Sequence, residues 1–103
     1  MYEKIYQGST PKNEFELPIP TDLIETVVVS YKQGDNVVLE KKGSDVEMNG
    51  YDIIVNLSQE ETLSLDYKKD IAIQLRVKLK DGNVIPTEPI YASVGEVFNK
   101  EIL

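Results

Sequence analysis

From Ile71 to Leu79 apolar and polar residues change places at every step. Ile71, Ile73, Leu75, Val77 and Leu79 fall on one side, with Ala72, Gln74, Arg76, Lys78 and Lys80 on the other. A period of two marks a strand with one buried and one wet face, whereas a helix would scatter those five residues around its circumference. Asp81-Gly82 follows at once, and then Asn83-Val84-Ile85. Asp-Gly between alternating runs predicts a two-residue type I′ turn, with positive φ at both central residues. Residues 70–80 and 83–86 are therefore expected to form a hairpin. Pro86 and Pro89 each lack a ladder donor, which puts the returning segment at a sheet edge or breaks it there.

Two more hairpins are written the same way. Asn49-Gly50 separates Asp45-Val46-Glu47-Met48 from a run in which Tyr51, Ile53, Val55 and Leu57 alternate with Asp52, Ile54 and Asn56. Gln33-Gly34-Asp35-Asn36 joins Ile24–Lys32 to Val37–Lys42. Val27, Val28 and Val29 put apolar groups on both faces, which predicts a central strand. Ser58-Gln59-Glu60-Glu61 reads as a capping box opening one helical turn near residues 58–63, with Leu63 and Leu65 placed to plug the core below it. Glu3–Tyr6 and Asn13–Leu17 read as N-terminal strands. Ile90–Phe98 reads as the last strand, with Gly95 at a bulge or bend. Seven or eight short strands, with turn signals every 8–12 residues or so, predict one all-β antiparallel domain over residues 1–103, a sandwich or a barrel.

At 103 residues, 41% hydrophobic and 28% charged, the chain has the composition of a single globular domain. The net charge of −7 and the scarcity of Lys/Arg clusters, beyond Lys41-Lys42 and Lys68-Lys69, argue against nucleic acid as a partner. Apolar runs as short as Val27–Val29 cannot span a membrane, and Met1–Ile5 lacks the apolar region of a secretory signal. With no histidine and no cysteine, disulfides, thiolate metal sites and the commonest general base are excluded.

Carboxylates, hydroxyls and lysines are left to carry any chemistry. Glu60-Glu61 are neighbours on a helical turn and point apart. They suit the positive end of a helix better than paired acid–base work. Asp45–Asp52 carries oxygen ligands at alternate positions before a glycine, as calcium loops do. Its twelfth position is Asn56 and its flanks are strands, so it reads first as an acidic hairpin and only second as a weak surface calcium site. Tyr31 and Tyr51 read as strand residues that pack a ring and pass the hydroxyl to water. Arg76, the only arginine, reads as solvated or ion-paired unless its face is an interface. The arm Met1–Pro20 carries Tyr2, Ile5, Tyr6, Phe15, Leu17 and Ile19 around a turn at Gly8-Ser9-Thr10-Pro11. It reads as edge strands of the same domain, or as a segment added to a neighbour's sheet. No residue is assigned to catalysis, to a cofactor or to a metal.

The order of these features resembles small structural proteins encoded in prophages of Gram-positive bacteria, and the N-terminal immunoglobulin-like module of phage baseplate upper proteins. The likeness lies in Gln7-Gly8, in Glu14-Phe15-Glu16-Leu17-Pro18, in Leu57-Ser58-Gln59-Glu60-Glu61-Thr62, and in Gln74-Leu75-Arg76-Val77 ahead of Asp81-Gly82. It spans most of residues 5–98. It implies an immunoglobulin-like sandwich in a virion or tail assembly, found in the particle or in the host cytoplasm during assembly. It further implies a non-enzymatic piece whose partners are other virion or tail proteins, or itself. Tyr67 lies too early to serve as the tyrosine corner of such a sandwich. The rival expectation is a bacterial carbohydrate-binding or adhesin-type module. An enzyme would need two carboxylates converging in a pocket.

Overall fold

The computed structural model describes residues 3–103; Met1 and Tyr2 lie outside them. Nine strands run in the order β1 (Glu3–Tyr6), β2 (Lys12–Glu16), β3 (Ile24–Gln33), β4 (Asn36–Lys42), β5 (Val46–Asn49), β6 (Asp52–Asn56), β7 (Ile71–Leu79), β8 (Val84–Pro86) and β9 (Ile90–Gly95). A single helical turn, α1 (Gln59–Leu63), links β6 to β7. The larger sheet has the order β1-β9-β7-β3-β4, with β8 also on β7, and the smaller has the order β2-β6-β5. This is the expected sandwich-like, mostly β domain. Two details differ from the expectation: there are nine strands, and β1 runs parallel to β9.

The five-step alternation of β7 is realised in full. Ile71, Ile73, Leu75 and Val77 are buried, while Gln74, Arg76 and Lys78 face solvent. The central role expected of the valine-rich strand also holds, since β3 pairs with β4 on one side and β7 on the other. Its inward set is Ile24, Val27, Val29, Tyr31 and Gln33. The odd step from Ile24 to Val27 is absorbed by a bulge at Glu25, which opposes no residue of β7. Phe15, Ile53 and Val55 from the smaller sheet, and Leu57 just after it, meet these residues in one core. Each large side chain so buried contributes roughly 1.5–3 kcal/mol.

All three hairpins form, but the turn after β7 is not the expected type I′, and the β5–β6 loop is shifted one residue from Asn49-Gly50. Asn49 pairs with Asp52, so the β5–β6 loop is Gly50-Tyr51. Only Gly50 has positive φ, the pattern of a type II′ turn. Tyr51 therefore sits exposed in the turn, not in the strand. After β7 the loop has three residues. Leu79 accepts from the Gly82 N–H (2.9 Å) and donates to the Asn83 carbonyl (2.8 Å), and Asp81 does not take positive φ. The Asp81 carboxylate instead accepts from the Asn83 N–H.

The two prolines break the returning edge as expected. β8 and β9 lie along the same side of β7, interrupted from Thr87 to Pro89. Thr87 closes part of the gap: its N–H donates to Leu75 O (2.8 Å), and its hydroxyl accepts from the Leu75 N–H (3.0 Å). The last strand stops at Gly95, short of Phe98, which is 95% exposed. Gly95 pairs in register with Tyr6, and a Cβ there would overlap the Tyr6 ring. Close approach, rather than a bulge, accounts for this glycine.

Candidate functional site

The acidic pair at the helical turn is structural. Ser58 Oγ accepts from the Glu61 N–H, and Glu61 Oε1 accepts from the Ser58 N–H, completing the capping box. The other Glu61 oxygen meets Lys41 Nζ of β4. Partial burial by itself would raise the Glu61 carboxyl, but the Lys41 ammonium and the Ser58 donors outweigh it and hold it below its ordinary value. Glu61 thereby ties α1 to β4, and Glu60 faces solvent.

Tyr31 corrects the expectation of a hydroxyl in water. The whole residue is 0% exposed, and its hydroxyl has no hydrogen-bond partner among the described residues. Burial first, and the Glu61 charge second, push the phenol well above its ordinary value. Two glutamines that sequence reasoning passed over do the polar work of the interior. Gln33 Nε2 donates to Asp66 O and Lys69 O, and its Oε1 accepts from the Asp66 N–H. Gln7 Nε2 donates to Leu65 O, and its Oε1 accepts from the Val97 N–H and Lys100 Nζ. The only advance signal for Gln33 was its inward parity on β3.

The hairpin at Asp45–Asp52 spreads its oxygens. Asp45 lies on a 3-10 turn before β5, Glu47 points outward, and Asp52 pairs with Asn49 across the turn. Among the described residues no three acidic side chains gather as a metal site would require. The N-terminal arm is used within this chain, β1 extending the larger sheet and β2 the smaller.

Two surface features stand out. The first is an apolar cleft of about 310 Å³ between the β7–β8 part of the larger sheet and the segment after β2. It is lined by Val77, Ile85, Pro86 and Thr87 from the β7–β8 side and by Leu17-Pro18-Ile19 after β2. No titratable group and no aromatic ring lines it, and the single hydroxyl, Thr87, is already bonded to the backbone. The second is the outer face of the larger sheet, where Arg76 stands beside Val28 on β3 with Lys78, Thr26 and Val84 around a shallow depression. Among the described residues Arg76 makes no ion pair. No described helix is long and apolar enough to cross a membrane.

Comparison with protein-family models, with curated proteins and with solved structures returns no match for this chain.

Proposed function

We propose that this chain is a non-enzymatic structural or adaptor piece that acts through protein–protein contacts. The particle it serves, on the resemblance alone, is a phage or prophage tail or baseplate, and the sandwich is then immunoglobulin-like. The observation that supports docking is this apolar cleft. A concavity walled by Leu17, Pro18, Ile19, Val77, Ile85 and Pro86 offers nothing to polarise a bond. It gains instead from covering apolar side chains, at roughly 25 cal/mol for each Å² removed from water. Its occupant, on this reading, is an apolar segment of another virion protein lying along the interrupted β8 edge.

Size-exclusion chromatography with light scattering, on the chain alone and mixed with the proteins encoded beside its gene, tests the reading. A complex that is lost on Ile85→Asp is expected. A chain that forms no complex in any mixture overturns it. Thermal shift with calcium ions and with a panel of glycans tests the rival binding module. A ligand-dependent rise in melting temperature there would replace this proposal.

A further inference from the structure

The outer faces of the two sheets carry opposite charge. On the larger sheet the outward residues include Lys4, Lys32, Lys42, Arg76 and Lys78, against the carboxylates Glu25 and Glu40. Glu25 is spent on Lys78 (3.3 Å) and Glu40 on Lys42 (3.8 Å), while Lys32 and Arg76 make no ion pair among the described residues. On the smaller sheet the outward set is Glu14, Glu16, Glu47 and Asp52 against Lys12 alone. A chain of net charge −7 thus gathers an excess of cations on one broad face.

The acidic face is neutralised only at Glu14, which meets Lys12 (3.7 Å), so Glu16, Glu47 and Asp52 make no ion pair among the described residues. Glu16 stands directly opposite Asp52 in the β2–β6 register, a like-charge pair that destabilises an isolated sheet. Glu14 and Glu47 flank Ile54, which is 8% exposed on that outer face. The basic face repeats this plan with the signs reversed, Arg76 and Lys42 flanking Val28. Each face therefore presents a central β-branched residue between two like charges, one of which, Arg76 on the basic face and Glu47 on the acidic, makes no ion pair among the described residues.

We propose that copies of this chain stack head to tail, the basic outer face of the larger sheet against the acidic outer face of the smaller. This rests on the docking reading and names a second copy as a partner. Charge selects the arrangement. Pairing either face with its own kind would set like charges together, whereas the two different faces are complementary. Such a contact is heterologous: an unclosed stack keeps one free face of each sign at its two ends, so assembly grows into a ring or an open column. The net negative charge opposes it over long distances. Physiological salt screens that repulsion beyond about 8 Å while sparing the contact pairs.

Sedimentation velocity over a concentration series, at low and at physiological salt, reads the association directly. The wild-type chain is expected to form a concentration-dependent series of species. Lys32→Glu with Arg76→Glu, and separately Glu14→Lys with Glu47→Lys, should each weaken it roughly tenfold or more. Far-ultraviolet circular dichroism checks that both variants keep the fold. Mixing the two variants should restore association, because each then offers the sign the other lacks. An isologous contact between basic faces would ignore the Glu14/Glu47 reversal, and that result overturns the proposal. So does a wild-type chain that stays monomeric at every concentration. If that monomer still binds a neighbouring gene product, stacking alone falls; if it binds nothing, the docking reading falls with it.

Discussion

A buried phenol with no hydrogen-bond partner among the described residues makes Tyr31 a place where the fold is weaker than its packing suggests. Desolvating an unbonded hydroxyl costs about 1–3 kcal/mol, while the ring around it fills the core. Tyr31→Phe is therefore expected to stabilise the protein by about 1 kcal/mol, seen as a higher urea midpoint with unchanged slope. Gln33 is the opposite case. Gln33→Leu suits the apolar parity of β3, yet it strips partners from the Asp66 N–H and from the carbonyls of Asp66 and Lys69. A loss of about 2–3 kcal/mol should follow, with faster amide exchange confined at first to residues 64–70. Alternation predicts which way a residue points but is blind to what its polar atoms meet there. That is why one inward hydroxyl was expected in water and one inward amide went unnoticed.

At the level of elements, the strands, their hairpin partners and the capping box were legible because each is a local pattern. Ile71–Leu79 alternates within itself, and Ser58 and Glu61 stand three apart. The turns were legible as places but not as types. Whether Gly50 is the first or second loop residue depends on the register of β5 on β6, which the burial of Ile53 and Val55 decides. The Lys41–Glu61 tie was hidden for a similar reason, since it joins residues twenty apart. It has a pH signature. The Glu61 carboxyl titrates lower in the folded chain than its ordinary 4.5, so the tie stabilises above that value and is lost as pH falls through the folded one. Glu61→Gln should lessen the fall in unfolding free energy between pH about 6 and about 3, read from urea titrations. At the other end of the sheet, Gly95→Ala must displace the Tyr6 ring and so loosen β1 on β9. A cost of about 1 kcal/mol is expected, much reduced in a Tyr6→Ala background, as a double-mutant cycle would show.

For the molecule as a whole, the parallel pairing of β1 with β9 was beyond the reach of pattern, because it links the first described strand to the last. β1 also carries Ile5 into the core and leads to Gln7, whose bonds hold Leu65, Val97 and Lys100. Removing residues 1–7 should lower stability by about 3–5 kcal/mol, measured as a fall in Tm, although the five other strands of that sheet stay paired. The same pairing bears on how the chain is made. Translation proceeds at about 5–20 residues per second, so Ile5 leaves the ribosome many seconds before Val94, its partner in register, exists. For that interval β1 is a nascent strand with no permitted companion, and Lys4 within it is a charge of the kind that discourages a wrong one. The larger sheet thus gains β1 only once β9 has been made, from a strand synthesised well before it.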